Sequence, residues 1–208
     1  VVAYSNFSTD IAGYIVQLAS GERYEDYIKK NIFDPLDMNL STAYADYYHI
    51  GEIAERKSLG YGASKDGFRL MPENFINEAP AGTISATVED MAKYMIAQMN
   101  SDGSAPYQLF DDPGWLETFQ GDTLHLYEGM ASNAHGFWTR TEKGVRMLEH
   151  GGNTTNFSAL LSIVPEENFG ICVLTNVAGE AAGIRTEIIR ELSADASHDA
   201  TVSVSEVH

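Results

Sequence analysis

Apolar residues recur at helical spacing in three stretches of the chain. In "STDIAGYIVQLASG", Ile11, Tyr14, Ile15 and Leu18 fall on one side of a helix, and Gly21 supplies its C-terminal stop. "ERYEDYIKKNIF" reads as a second, shorter helix ended by Asp34-Pro35, because the residue before a proline is pushed out of the helical region. The clearest helix is "TVEDMAKYMIAQMN". There Val88, Met91, Ala92, Met95, Ile96 and Met99 form one apolar stripe, and Thr87 and Asp90 stand at capping-box spacing with Asp in place of the usual Glu. A methionine stripe of this kind packs a core. "PLDMNLSTAY" reads as a loop. Residues 46–80 carry turn signals at Gly60, Gly62 and Asp66-Gly67, and "GYGASKDGFRLM" has the form of a small hairpin. Residues 100–134 are loop-rich.

From residue 135 the pattern changes. "GFWTRT", "VRMLEHG", "FSALLSIV" and "FGICVLT" are four strand-like runs; the first two are split by Glu142-Lys143-Gly144 and the last two by "PEEN". Turns this short predict an antiparallel meander. "EAAGIRTEIIREL" then reads as a helix with Ile184, Ile188 and Leu192 turned toward one face of that sheet. The expected fold class is α+β: an antiparallel sheet flanked by helices, plus a helical region. Residues 1–192 form one domain, mainly helix and loop over 1–134 and strands with a closing helix over 135–192. Residues 193–208 are a polar tail with no core of its own.

Charge and composition narrow the function. With 30 acidic and 13 basic residues the net charge is −17, which argues against nucleic acid or an anionic membrane as partner. No apolar run approaches the ~20 residues needed to span a bilayer. The single Cys172 lies in an apolar run and reads as a small buried hydrophobe, since no polar activating group flanks it. The six His have no metal-ligand spacing, there is no Gly-rich phosphate loop and no Gly-x-Ser-x-Gly elbow, so neither metal nor cofactor is expected. Sequons at Asn6, Asn39, Asn153 and Asn156 are short enough to arise by chance.

Two clusters remain: Tyr4-Ser5-Asn6 at the start of the first helix, and His150-Gly151-Gly152-Asn153 in "EHGGNTTNF" on an expected sheet edge far downstream. Taken alone, the residues favour a helix-start Tyr4 with Asn6 as N-cap and a satisfied His150 at a strand end. The wider sequence reverses that preference. "YSNFSTDIAGYIVQLASGERYEDYIKKNIFDPLDM", "APAGTISATVEDMAKYMIAQMN" and "EHGGNTTNFSALLSIVPEENFGICVLTNVAG" resemble, in order, segments of the serine beta-lactamase-like superfamily of class C beta-lactamases, D-Ala-D-Ala carboxypeptidases and esterases. Asp37 stands where that family usually has Gly.

The resemblance implies roles. Tyr4 would relay a proton to and from a serine nucleophile. A free phenol has a pKa near 10, so work near pH 7 would need about 3 units of help, or ~4 kcal/mol, from neighbouring cations. Asn6 would hold the substrate carbonyl. His150 stands where lactamases have Lys, which favours a peptidase or esterase over a dedicated lactamase, acting on a small-molecule or peptide substrate. Gly151 and Gly152 would let the substrate lie along the strand, and the Asn153 N–H would be one oxyanion donor. A periplasmic or extracellular location goes with the family. The family's Ser-x-x-Lys is missing: no Ser in the 208 residues is followed three positions later by Lys. The expectation is therefore a piece of a longer polypeptide whose nucleophile and first strands precede Val1, with an open face prone to aggregation. The competing expectation is a non-catalytic binding or scaffold module of the same fold.

Overall fold

Ser5 opens the first helix: its side chain accepts the Ser8 amide at 3.4 Å, and Gly21 closes the helix in the left-handed conformation (φ 71°), so α1 runs Asn6–Ser20. Asn6 is thus the first helical residue, and the N-cap is the neighbouring Ser5. The computed structural model describes residues 4–100, 102–112, 114–121, 132–142 and 144–191. After α1 come α2 (Tyr24–Ile28), which runs on through a π-helical turn (Lys29–Phe33), α3 (Gly51–Glu55), β1 (Tyr61–Ser64), β2 (Gly67–Leu70), α4 (Ala79–Gly82), α5 (Val88–Met99) and α6 (Gly114–Gln120). The main sheet follows as β3 (Ser132–Ala134), β4 (Phe137–Glu142), β5 (Val145–Asn153), β6 (Ser158–Val164) and β7 (Phe169–Thr175), and the helix α7 covers residues 181–191.

The fold is α+β. β1 and β2 make the expected hairpin; β3 to β7 form an antiparallel sheet in sequence order, the meander foreseen from the short turns. β3 was not foreseen, because Ser-Asn-Ala carries none of the branched or aromatic residues that mark a strand. Leu192 and the tail 193–208 lie outside the described residues.

Two cores share one helix. Ile28, Phe33, Leu36, Met38, Ala43 and Ala97 pack the helical side. Met95, Ala134, Phe137, Leu148, Leu161 and Ile163 pack α5 onto the sheet, with Cys172 against them. Asp90 sets the position of α5. Its carboxylate is buried and accepts the Leu40 amide and the Ser41 hydroxyl, both at 2.8 Å, while Lys93 lies 3.2 Å away. Only half of the capping box forms: Thr87 accepts the Asp90 amide at 3.2 Å, whereas the Asp90 side chain is spent on residues 40 and 41.

Two helices, α1 and α7, bury a different face from the one their apolar residues mark, and α5 buries more than its stripe. On α5 the expected stripe packs the core through Met91, Ala92, Met95 and Met99; Ala97 and Gln98 are buried beside it, while Val88 and Ile96 are exposed. Gln98 can go inside because the Gln120 amide donates to its side-chain oxygen at 3.1 Å. On α7, Ala181 and Ile189 reach the sheet with Arg185, and Ile184 and Ile188 are exposed. On α1 the apolar stripe is open: Phe7, Ile11, Tyr14, Ile15 and Leu18 are all exposed, and the one buried residue is Gly13.

Gly13 is buried because α4 crosses it. A Cβ there would lie 2.3 Å from Pro80 Cγ and 2.6 Å from Pro80 Cβ. Ala is worth about 1 kcal/mol over Gly in a helix, but overpacking costs about 1–3 kcal/mol. The second effect wins here: Gly13→Ala should lower the unfolding free energy by about 1–2 kcal/mol in urea titrations, against the sign expected from helix propensity.

Burial pushes the Cys172 thiol up to about 11 and the Tyr94 phenol up to about 12. Both folded values lie above the unfolded ones, so this stability is complete below pH ~8.5 and is lost as pH rises toward 11. Urea titrations should show stability falling between pH 8.5 and 10.5, with Cys172→Ala removing the thiol's share of that slope.

Candidate active site

The reach of two strands decides where a ligand could lie. β5 pairs with β6 along Leu148–Asn153, from Leu148↔Ile163 to Asn153↔Ser158, but its register with β4 ends at Trp138↔Glu149. His150, Gly151, Gly152 and Asn153 therefore lie beyond the last β4 partner, on a strand interior to the sheet whose far end, among the described residues, has one free edge. His150 was expected at a sheet edge; this end of β5 is where that holds.

Ladder alternation says which groups face that edge. Beyond the last pair, the Thr154 amide donates to the Phe157 carbonyl at 2.9 Å, so Thr154, Gly152 and His150 turn their main-chain groups toward β6. Gly151 and Asn153 then turn theirs outward, to the free edge. The N–H of Asn153, expected to serve an oxyanion, is among these outward groups. Its side chain is occupied separately: Asn153 Oδ1 accepts the Ser158 hydroxyl at 2.7 Å, and Ser158 Oγ accepts the Ala181 amide at 3.3 Å, pinning the start of α7 to the same turn.

The strand is braced from behind. Glu149, one residue before His150 and on the opposite face, accepts the Ser162 hydroxyl, with Arg185 at 3.1 Å and Arg140 at 3.7 Å. The β5–β6 turn is braced as well: buried Asn156 donates to the Pro72 carbonyl at 2.6 Å, and Asn74 donates to Thr155 at 3.3 Å.

α1 delivers the other half. Tyr4 stands just outside the Ser5 cap and is half exposed. Its ring centroid is 5.9 Å from that of His150 and 6.5 Å from that of Trp138. The two clusters singled out in the sequence thus meet ring to ring. Asn6 is exposed beside them, and its amide nitrogen donates to Glu78 Oε2 at 3.1 Å. Gly151 and Gly152 are exposed on the strand end. Sequence reasoning missed two members of this neighbourhood, Trp138 and Glu78. Trp138 was visible as an aromatic in a strand-like run; Glu78 precedes Ala79-Pro80 with no periodicity to mark it. A shallow open depression lined by Leu109, Phe110, Asp111, Asp112 and Trp115 shares no residue with this cluster. Among the described residues no group of His, Cys, Asp and Glu is arranged to hold a metal ion.

The two glycines differ in what surrounds them. A Cβ on Gly152 would meet nothing within 4 Å, whereas one on Gly151 would lie 3.3 Å from Leu160 Cδ1. Gly152→Val should leave the melting temperature within about 2 °C of the parent, and Gly151→Val should lower it by more, in a thermal scan by circular dichroism.

Comparison with known proteins follows this geometry. The family described as Beta-lactamase matches residues 1–195. Protein flp of Staphylococcus aureus (strain MW2) is 24% identical over 179 residues, which are 85% of this chain and 34% of that protein. The chain therefore spans about a third of the length of the curated relatives it matches. Among solved structures, the octameric penicillin-binding protein homologue from Pyrococcus abyssi superposes with a TM-score of 0.69 at 25% identity, over 86% of this chain and 39% of that one. The D-amino acid amidase from Ochrobactrum anthropi SV3, complexed with L-phenylalanine amide, reaches a TM-score of 0.73 at 20% identity, over 96% of this chain and 58% of that one; at that identity the likeness is one of fold.

Proposed function

Because the chain belongs to the Beta-lactamase family, we propose that it supplies two parts of a serine-hydrolase active site, one that cleaves an amide, peptide or ester through an acyl-enzyme. The observation that carries this is the meeting of Tyr4 and His150 at the free end of β5, with rings 5.9 Å apart. Tyr4 is the proton relay: its phenol takes the proton of the attacking serine and returns it to the leaving group. The outward N–H of Asn153 stabilises the oxyanion, a contact worth ~3–4 kcal/mol per donor in such sites. Asn6 contacts the substrate beside the reacting carbonyl.

His150 sets the leaning within the family. An imidazole holds a substrate carboxylate less well than the compact three-donor ammonium of a Lys, so a peptidase, amidase or esterase fits better than an enzyme devoted to carboxylate-bearing lactams. The nucleophile would be the serine of a Ser-x-x-Lys motif. These 208 residues hold no such motif, so the serine would come from elsewhere in the polypeptide. That same absence favours the second reading, a non-catalytic module of this fold that binds ligand at the same edge.

The protein made from its whole gene should turn over p-nitrophenyl acetate and an amino-acid p-nitroanilide better than nitrocefin, and residues 1–208 alone should turn over none of them. Tyr4→Phe should cost roughly 10²–10⁴ in kcat/KM. Gly152→Val should cost at least about tenfold by crowding the ligand edge while the fold stands. Turnover that survives Tyr4→Phe overturns the assignment; no turnover of any substrate, with ligand still bound at β5, favours the binding module.

A further inference from the structure

The turn that follows the free end of β5 is gripped by the base of the β1–β2 hairpin. Asn156, in that turn, is 2% exposed. Its side-chain amide donates to the carbonyl of Pro72, just past β2. Gly60, just before β1, closes on it from the other chain: a Cβ on Gly60 would run into Asn156 Cβ and lie 3.1 Å from Phe157 Cε2. Between them the Met71 amide donates to the Gly60 carbonyl at 3.0 Å, the last rung of the hairpin. The spacing of the two chains at this base therefore decides how Asn156 is held. With Asn156 goes the Thr154 amide, which closes the turn on the Phe157 carbonyl directly after Asn153.

One residue past Pro72 and three before Gly60, the two chains are joined again. Lys57 and Glu73 form an ion pair, with side chains only 15% and 30% exposed. The Lys57 amine also donates to the Tyr48 hydroxyl at 2.8 Å, and that hydroxyl gives its own proton to Glu73. The same amine lies 4.9 Å from the centroid of the Tyr48 ring and 5.7 Å from that of Tyr47. Each of the three polar groups thus meets the other two, under aromatic cover. A part-buried pair with added charge-assisted hydrogen bonds is worth more than an open surface pair.

We propose that Lys57, with Glu73 and Tyr48, is a positioning residue for the free end of β5: the ion pair clasps the hairpin base onto Asn156, and Asn156 transmits that hold to Gly152 and Asn153. Every contact in this path lies within the described residues, and none involves a nucleophile. The proposal rests on the reading above only in taking that end of β5 as the place where a ligand lies.

The test is amide hydrogen exchange, followed by mass spectrometry on the protein made from its whole gene. Lys57→Met should speed exchange over residues 152–157 by about fivefold or more and leave α5 unchanged. Lys57→Arg keeps a cation that stacks on tyrosine and should restore most of the protection. Asn156→Ala should speed the same amides by itself, and Lys57→Met added to it should bring no further gain, because the path runs through Asn156. If Lys57→Met does not fold, Glu73→Gln takes its place, since Gln still accepts from Tyr48 and carries no charge. Exchange over 152–157 that the charge-removing variant leaves unchanged, or raises only as much as in α5, or raises additively with Asn156→Ala, overturns the proposal.

Turnover separates this result from the hydrolase reading. Where the parent hydrolyses p-nitrophenyl acetate, kcat/KM should fall across the variants in the order in which exchange rises; full activity alongside raised exchange overturns the positioning role. Where the parent hydrolyses nothing, the hydrolase reading has failed by itself, and the exchange pattern alone decides the clasp.

Discussion

One buried carboxylate holds the halves of this molecule in register. Asp90 sits on the first turn of α5 and is satisfied by the Leu40 amide, the Ser41 hydroxyl and Lys93. Left without those partners it would carry a desolvation penalty of several kcal/mol, so the loop that follows the helical core has to stay against α5. That helix contributes Ala97 to one core and Met95 to the other. The sheet is therefore placed relative to α1 and α4 through α5. The meeting of Tyr4 with His150 depends on that chain of packing, together with the Gly13–Pro80 approach that seats α1 on α4.

Much of the fold was legible in the sequence, for a physical reason. Period 3.6 and short apolar runs between turns report which backbone hydrogen bonds form, and those are local or nearly so. The elements came out as read: α1, α5, the hairpin, four strands of the meander and the helix after it. What the period could not say was which face of each helix is covered. On α1 and α7 the apolar count pointed to Ile11 and Ile184, yet the buried positions include Gly13 and Ala181; on α5 the methionine stripe packs as read, but Gln98 is buried as well. Those are chosen by the partner's shape and by available hydrogen bonds, which are non-local. Gln98 is inside because Gln120 meets it; Gly13 is inside because Pro80 leaves no room for more.

The site divides the same way. Tyr4, Asn6 and His150 were found by resemblance in ordered segments, and the outward turn of Asn153 follows from strand alternation once the hairpin is granted. Glu78 follows from neither, since its relation to Asn6 exists only when α4 packs beside the start of α1. Asp37 is an intermediate case. The family usually has Gly there, and Asp37 does take a left-handed conformation (φ 54°). Asp tolerates that region better than most residues, and here its side chain also accepts from Asn39 at 2.5 Å and lies 3.4 Å from Lys93. Asp37 thus holds a left-handed position and adds side-chain contacts that a Gly would not make.

The overhang of β5 past β4 carries a consequence for selectivity. A chain laid along that edge would be held by peptide N–H and C=O groups, which every residue possesses, while Gly151 and Gly152 contribute no side chain to read it. Recognition of that kind is indifferent to side-chain identity and strict about backbone direction and length. Discrimination among ligands would then fall to the few groups at its borders, and a change at one of them could redirect the site to a new class of molecule without disturbing the ladder that holds it.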